Sequence, residues 1–352
     1  MSEFSQRIGK LRELADKHGL ESIVLRRNPN LAWAIGGRVH VPLTLDLSCF
    51  DLIINQEKVI AVTNKIEAPR LIAEELPSEV EVIAIDWWEG RDAKLPSGEK
   101  VGTDQPGGSR LDLGSEIERL RQSLSESEVA RFLAVCEDSA LALGAAIKLT
   151  QSIDREIDVT ARIASALLQR NLELVFIGVA GESRVKKFRH PLPTEAAIGN
   201  RVVASICARR KGMIASVTRI ASFEENIDSY IQILNVEAAL FEKTQVGAKF
   251  ADAIKAAIKA YPEFGFDELE WQKHHQGGPT GFAPRDWPAN SNSAQIILEN
   301  QPIAWNPTGN GWKAEDTILA TSSGVKILSV DPTWPTIQVA GRKRPAVLPL
   351  AK

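Results

Sequence analysis

Residues 190–219, HPLPTEAAIGNRVVASICARRKGMIASVTR, carry the pattern that decides the fold of the C-terminal part of the chain. Two segments within it, 201–210 and 213–220, are rich in β-branched and small apolar residues, which favours strands. The polar turn Arg210-Lys211-Gly212 separates them. A glycine in so short a connection is typical of a tight hairpin. The stretch therefore predicts two paired antiparallel strands.

Helices and further strands surround this hairpin. Ser125 followed by Glu128 is a capping-box signature and predicts the start of a long helix. Apolar periodicity predicts two more helices, over 157–169 and 227–260, and strands over 294–300, 302–308 and a closing pair within 312–330. Strands and long helices in this order predict an α+β fold, with helices packed on one face of a curved antiparallel sheet.

The N-terminal part reads as a separate, smaller α/β domain. Its pattern predicts helices at 3–18 and 66–76, a strand at 21–27, a hairpin of 51–55 with 59–64, and a strand at 81–87. Residues 93–110 are rich in Gly, Pro and charge, as expected of a loop or a domain boundary. We therefore predict two domains, 1–115 and 116–352.

The composition excludes several classes of protein. A hydrophobic fraction of 44% and a charged fraction of 25% are typical of a soluble globular chain. A net charge of -3 without a Lys/Arg block argues against a nucleic-acid partner. No apolar run has the length of a membrane span or of a signal-peptide core, and Cys49, Cys136 and Cys207 show no metal or disulfide spacing. We expect a cytoplasmic protein with no membrane partner.

Several segments resemble one known family in order and spacing. The C-terminal ones are LRQSLSESEVARFLAVCEDSA (120–140), the stretch 190–219, HHQGGPTGFAPRDW (274–287) and IAWNPTGNGWKAEDTILATSSGVKIL (303–328). They resemble the pita-bread hydrolases, a family that includes Xaa-Pro aminopeptidase, prolidase, methionine aminopeptidase and creatinase. RRNPNLAWAIGG (26–37) is similar to the family's N-terminal motif. The resemblance implies a creatinase/prolidase-like N-terminal domain followed by a pita-bread domain.

The peptidases of this family hold two divalent metals with five ligands, and the resemblance maps these positions onto the chain. They fall on Ser205, Ser216, Gly278, Asn306 and Glu315. Two adjacent divalent ions need several carboxylates to offset their mutual repulsion, and this set contains one. We therefore expect no metal and no other cofactor. The alternative is a shifted alignment in which His274 or His275 supplies a ligand.

The resemblance also implies a set of catalytic residues. His190 matches the histidine that transfers a proton in creatinase, the metal-free member, and His274 matches one that lies beside the reacting group. We expect His190, Glu315 and His274 to be catalytic, because a histidine beside a carboxylate can give and take a proton near neutral pH. The alternative for His190 is an ordinary loop histidine on a Pro-rich turn. We expect the side chain of His275 to point away from the site.

A second set is expected to bind substrate. It comprises Arg285, Asn306, Ser205, Ser216 and Trp305. Arg285 stands where the family has another histidine and offers a planar fork of donors for a substrate carboxylate. It could equally form a salt bridge with Asp286 or Glu315. Tryptophans in these segments either stack on a ligand or fill volume, and Lys313 and Arg209 are candidate cations near the pocket mouth.

Two functions from different classes follow from these residues. The first is a metal-independent hydrolase of the creatinase type, which cleaves a C–N bond in a small carboxylated amide, amidine or urea. The second is a non-catalytic homologue that serves as a binding or scaffolding protein. A metallopeptidase that cleaves Xaa-Pro bonds is a third, less favoured reading. The family also implies a homodimer, in which Arg38 is a candidate to reach the partner subunit's pocket.

Overall fold

The computed structural model describes residues 2–41, 44–224 and 228–351. It divides into two compact units, Met1–Arg121 and Gln122–Lys352. The boundary predicted from the sequence, at 115/116, falls inside the helix Gly114–Arg121. That helix belongs to the first unit, where Arg121 Nε donates to Asn30 Oδ1 at 2.9 Å. The first unit therefore ends at Arg121.

The first unit is a six-stranded mixed sheet with helices. Its helices are α1 (Glu3–Lys17), α2 (Asn28–Ile35), α3 (Ala68–Arg70), continued by a π-turn at Leu71–Glu75, and α4 (Gly114–Arg121). Its strands are β1 (Ser22–Arg27), β2 (Leu47–Asn55), β3 (Val59–Asn64), β4 (Glu81–Ile85), β5 (Val101–Thr103) and β6 (Leu111–Asp112), in the order β4-β3-β2-β1-β5-β6. A short 3-10 turn covers Arg91–Lys94. The predicted hairpin is β2 with β3.

The second unit contains five helices among its described residues. They are α5 (Glu126–Ile147), α6 (Glu156–Leu168), α7 (Glu182–Val185), α8 (Asp228–Lys243) and α9 (Phe250–Glu263), with a 3-10 turn at Glu270–Lys273. Ser125 caps α5 through the predicted capping box with Glu128. In the part of the chain that the structure describes, no helix is long and apolar enough to span a membrane.

Two four-stranded sheets form the framework of this unit. One has the order β18-β9-β8-β7 and the other β10-β11-β14-β15. The strands are β7 (Glu173–Gly181), β8 (Arg201–Arg210), β9 (Met213–Ser222), β10 (Gly277–Pro279), β11 (Gln301–Trp305), β12 (Thr308–Gly309), β13 (Trp312–Lys313), β14 (Asp316–Thr321), β15 (Gly324–Ile327), β16 (Thr336–Val339), β17 (Arg342–Pro345) and β18 (Leu348–Pro349). The β8–β9 connection is a two-residue turn in which Lys211 and Gly212 both have positive φ, 47° and 83°. The α+β class predicted from the sequence is confirmed.

Two predicted elements differ from the structure. The single helix predicted over 227–260 is two helices, α8 and α9, and residue 227 lies outside the described residues. The break contains Gly247, whose φ of +88° is incompatible with a helix. The strand predicted over 294–300 is absent, because only Ile296 forms a bridge, with Lys249. Strand β7 was not predicted.

A buried ionic network ties α8, β9, β14 and β17 together. Arg344 Nε and Nη2 each donate to the Glu237 carboxylate at 2.7 Å. The same Nη2 donates to Asp316 Oδ2 at 2.9 Å, and Arg219 Nη1 donates to Asp316 Oδ1 at 2.9 Å. All four side chains are almost completely buried. Each charge therefore depends on its partners for stability.

We expect Arg344→Met to destabilise the protein strongly. The change leaves the Glu237 carboxylate buried without its counter-charge, which costs about 3–5 kcal/mol when a buried pair is broken from one side. The matched control is Lys343→Met at the preceding, exposed position of β17. Urea unfolding of both variants measures the difference in the free energy of unfolding, and equal values would contradict this role of Arg344.

Candidate functional site

The antiparallel register of β8 and β9 places four short polar side chains opposite one another. Ser205 pairs with Thr218, and Cys207 pairs with Ser216. Directly opposite residues on one face of a sheet are close enough to interact. The Ser205 Oγ and Thr218 Oγ1 atoms are 2.7 Å apart, and the Cys207 Sγ and Ser216 Oγ atoms are 3.4 Å apart. These strands thus present hydroxyl groups toward Glu315.

A closed ring of hydrogen bonds joins this hairpin to the segment before β14. Lys313 Nζ donates to Ser205 Oγ at 3.2 Å, and lies 2.8 Å from Glu315 Oε2. Thr218 Oγ1 donates to Glu315 Oε2 at 2.8 Å, which leaves Ser205 as the donor to Thr218. The backbone adds a bond from Thr218 N to Glu315 O at 3.0 Å. All four side chains are buried, so the ring satisfies polar groups that water cannot reach.

Two cations flank the Glu315 carboxylate. Arg285 Nη2 lies 3.6 Å from Glu315 Oε1, on the side opposite to the Lys313 contact. Burial opposes ionisation of Glu315, but Lys313 and Arg285, together with hydrogen bonds from Lys313 and Thr218, leave its pKa below the usual value. Glu315 is therefore an ionised counter-charge. One carboxylate facing two cations leaves the site with a net positive charge.

Gly278 has no room for a side chain. Its φ is +156°, and a Cβ at this position would lie 2.4 Å from the Trp287 carbonyl oxygen. The neighbouring space is taken by Arg285, whose Nη1 donates to the Gly278 carbonyl at 3.4 Å. Arg285 thus forms the salt bridge with Glu315 that the sequence left as an alternative.

His190 and His274 are joined directly. Their Nε2 atoms lie 2.9 Å apart, so one nitrogen donates and the other accepts. Burial lowers the pKa of His274 far below its usual value, with a further contribution from Lys313, and it lowers the pKa of His190 more moderately. Both rings are therefore neutral at neutral pH. His190 therefore contacts another expected site residue and is not only a loop histidine on a Pro-rich turn.

His275 does not point away from the site, contrary to the expectation from the sequence. Its ring stacks on His274 with the centroids 4.5 Å apart and lies 5.4 Å from the ring of His190. Burial lowers the pKa of His275 to about 4, and Arg285 adds to this effect. Consecutive residues in an extended strand would face opposite ways. Here the chain changes direction between the 3-10 turn that ends at Lys273 and Gly277, whose φ is +109°.

A narrow pocket with a volume of about 30 Å³ opens beside these groups. Its walls are largely apolar and include Phe176, Val185, Phe188, Val203 and Trp312. His190, Ser205 and Lys313 contribute polar groups to the same pocket. Apolar walls with a few polar groups are the composition of a small-molecule site, and the space in this structure holds about two water molecules.

Two expected substrate-binding residues lie elsewhere. Trp305 is fully buried in the core, where its Nε1 donates to Thr244 Oγ1 at 3.0 Å. Side chains alternate along β11, so Ile303 and Trp305 share the core face. Ser216 is also fully buried, and its Oγ contacts Cys207. Neither residue lines the pocket.

The expected role of Glu315 as the partner of a histidine is not borne out by the contacts. Its carboxylate bonds Lys313 and Thr218, and no hydrogen bond within the described residues joins it to His190 or His274. Asn306 lies close to this region, since its backbone N–H donates to the Gln276 carbonyl at 3.0 Å. Its side-chain Oδ1 is buried and makes no hydrogen bond with the described residues.

Two candidate cations are engaged outside the pocket. Arg209 pairs with Glu173 at 2.6 Å, near the end of the β7–β8 ladder. Arg38, in the first unit, bonds Glu75 at 2.6 Å and lies 3.4 Å from Glu74. Arg209 therefore does not line the pocket, and Arg38 has a local partner.

The role of Lys313 was underestimated from the sequence. It was considered a cation at the pocket mouth, whereas the structure places it, mostly buried, on Glu315. A signal was present, because residues two apart in an extended segment share one face. That spacing predicts that the side chains of Lys313 and Glu315 project to the same side.

Comparisons with known proteins agree with this architecture. No protein-family model matches the chain. The Xaa-Pro dipeptidase of Pyrococcus horikoshii is 22% identical over 361 residues, covering 94% of this chain and 98% of that protein. The crystal structure of the Pyrococcus horikoshii prolidase superposes with a TM-score of 0.77 at 19% identity, covering 92% and 98% of the two chains.

A third similar structure is named as a subunit of a complex and not as a peptidase. The N-terminal domain of the FACT complex subunit SPT16 from chickpea (Cicer arietinum) superposes with a TM-score of 0.72 at 11% identity, covering 93% of this chain and 96% of that one. At these identities the likeness concerns the fold. The chain has the two-domain pita-bread fold predicted from its sequence.

We expect Lys313→Met to destabilise the protein by about 3–5 kcal/mol, because it leaves the buried Glu315 carboxylate without its closest cation. Adding Glu315→Gln to this variant should recover much of the loss, since the amide carries no charge. Urea unfolding of the two single variants and the double variant measures their coupling. Lys326→Met, at an exposed position of β15, is the matched control. Additive effects of the two changes would argue against the pairing.

Proposed function

We propose that this chain is a metal-independent hydrolase of the creatinase type. Its substrate is a small carboxylated amide, amidine or urea, and the bond cleaved is C–N. The observation that carries the proposal is the 2.9 Å bond between His190 and His274, at a pocket that the largely buried Lys313 also lines. This places a proton-transfer pair beside a fixed positive charge.

The donor set supports a reaction without a metal pair. The positions that match the family's ligands carry two serines, a glycine, an asparagine and Glu315. Glu315 is flanked by Lys313 and Arg285, and two metal ions beside them, a third and a fourth cation, would meet strong repulsion. A dinuclear centre therefore does not fit these residues, and no step is assigned to one.

In the proposed reaction, His190 takes a proton from water and returns it to the leaving group. A water molecule attacks the carbonyl or amidine carbon, which forms the new C–O bond, and gives one proton to Nδ1 of His190, whose Nε2–H donates to His274. His190 then passes this proton to the leaving nitrogen as the C–N bond breaks, so the histidine ends unchanged. His274 holds the His190 ring through the Nε2 bond. Positioned proton transfer of this kind contributes about 10²- to 10⁴-fold to a rate.

Lys313 and Arg285 account for the preference for an anionic substrate group. Together they carry two positive charges against the single negative charge of Glu315. Lys313 lines the pocket, so it is the nearer partner for a substrate carboxylate. Its hydrogen bonds to Ser205 and Glu315 fix its position before substrate arrives, which reduces the entropy cost of binding.

A second candidate is a non-catalytic homologue that binds a ligand or a partner. The observation that favours it is the full engagement of Glu315, which leaves no carboxylate bonded to either histidine. The matched SPT16 domain, described as part of a complex, also illustrates that a fold alone does not determine function. An Xaa-Pro metallopeptidase is disfavoured by the donor set. For either candidate we propose a cytoplasmic homodimer.

The proposal predicts turnover that survives chelation. Protein treated with a strong chelator should hydrolyse at least one member of a panel of N-acyl, N-carbamoyl and N-amidino amino acids, measured by release of the amine. His190→Ala should lower kcat by about 10²-fold or more. The double variant Lys313→Met with Glu315→Gln, which is expected to fold better than Lys313→Met alone, should mainly raise KM, because it removes the cation proposed to bind the carboxylate. His18→Ala, in the first unit, is the matched control.

Two outcomes would overturn the proposal. Ligand-induced thermal stabilisation without any turnover across the panel would support the non-catalytic candidate instead. Two tightly bound manganese, cobalt or zinc ions per chain, together with cleavage of Xaa-Pro dipeptides, would establish the metallopeptidase.

A further inference from the structure

We infer that His190, His274 and His275 together form a binding site for one divalent transition-metal ion, separate from the positions that match the family's metal ligands. Each histidine offers one ring nitrogen, and these nitrogens all lie within 4.8 Å of one another. The chain has five histidines, and three of them meet here. This site goes beyond the proposed hydrolysis and does not depend on it.

The spacing of the nitrogens is close to that of a zinc site. Zinc–nitrogen bonds of about 2.0–2.1 Å in a tetrahedral geometry put two ligating nitrogens roughly 3.3 Å apart. The Nε2 atoms of His190 and His274 are 2.9 Å apart. The third ring already stacks on His274 with its centroid 4.5 Å away. Because the stacked rings are only 29° apart, their lone pairs point in nearly parallel directions, and rotation of the exposed His275 ring is needed to bring the third lone pair onto the ion.

Hydrogen bonds to the backbone hold His274, the buried member of the three histidines, in place. His274 is buried, and its carbonyl accepts a 2.7 Å bond from Gln276 Nε2, which also bonds the Trp271 carbonyl. The Gln276 side-chain oxygen in turn accepts from the Tyr261 hydroxyl at 2.9 Å. His190 and His275 are exposed and can turn toward an ion. One anchored and two adjustable ligands leave a further coordination position open to water.

The donor chemistry selects the class of ion. Three imidazoles without a carboxylate suit zinc, cobalt, nickel or copper, whereas magnesium, calcium and manganese prefer oxygen ligands. A ligating imidazole must be neutral, and the lowered pKa values of the three rings agree with this form. The hydrogen shared by His190 and His274 moves to the Nδ1 of the ring that carries it, which frees both Nε2 lone pairs without loss of a proton.

The charged residues around the three histidines limit the affinity of the site for a metal ion. Lys313 and Arg285 act on the histidines as positive charges, and Glu315 offsets one of them. This field opposes a second cation, so the site takes a single ion. An ion on Nε2 of His190 also leaves the ring hydrogen on Nδ1, the atom assigned to proton transfer. If the hydrolase proposal holds, zinc at this site inhibits the reaction.

Calorimetric titration of the full-length, chelator-treated protein with Zn²⁺ tests the inference without any substrate. We expect one ion per chain, no displacement by excess Mg²⁺, and a Co²⁺ form with the visible absorption of a low-coordinate nitrogen site. His275→Ala should weaken Zn²⁺ binding by at least about tenfold, as loss of a ligand costs no less than loss of an outer-shell partner. His18→Ala and His40→Ala are matched controls and should bind as the unaltered chain does.

Three results would overturn the inference. They are no Zn²⁺ binding, binding that His275→Ala leaves undiminished, and two ions per chain. Should His275→Ala fold poorly by circular dichroism, His190→Ala replaces it, because His190 is also exposed. Zinc binding and turnover are measured separately, so failure of the hydrolase proposal leaves this result interpretable.

Discussion

The site depends on one constraint, namely that the Glu315 carboxylate is buried and must be neutralised by the protein. Lys313 provides the closest positive charge, 2.8 Å from Glu315 Oε2, and Ser205 and Thr218 complete the ring of hydrogen bonds. The ring spans β8, β9 and the segment before β14. Because a buried charge is costly when unpaired, the three segments are held in one arrangement.

The alternation of side chains separates two buried charge systems along this segment. Glu315 faces Lys313 and the hydroxyl groups, whereas the adjacent Asp316 faces Arg219 and Arg344. The first system borders the pocket, and the second ties α8 and β17 to the sheet. Residues on the face of Glu315 can therefore vary without disturbing the charges around Asp316 that hold α8 and β17 to the sheet.

The fold was largely predictable because its signals are local. The turn Lys211-Gly212, the capping box at Ser125 and the periodicity of α5 each depend on neighbours in sequence. The misplaced elements depend on longer-range effects. Gly247 ends a helical pattern that continues on both sides, and residues 294–300 have a strand-like composition but pair only through Ile296. The order of the segments, more than any one motif, carried the resemblance to the family.

The site was predictable only in part, because its geometry comes from residues distant in sequence. The resemblance named His190 and His274, and the structure joins them across 84 positions. It did not reveal that Lys313 would neutralise Glu315 or that His275 would turn inward. Trp305 was misassigned because the strand alternation was not applied to it, although Ile303 and Trp305 share the apolar face of β11.

The same electrostatics govern both proposals for the histidines. Two cations and one carboxylate favour an anion in the pocket and disfavour a metal ion beside it. A substrate carboxylate that binds Lys313 would cancel the excess positive charge and thereby ease the approach of a cation to His190. Substrate and metal are then coupled through charge while both act on the ring of His190, and coupling between two ligands is reciprocal. Which effect dominates depends on whether the ligand carries only the carboxylate or also the reacting group that contacts His190.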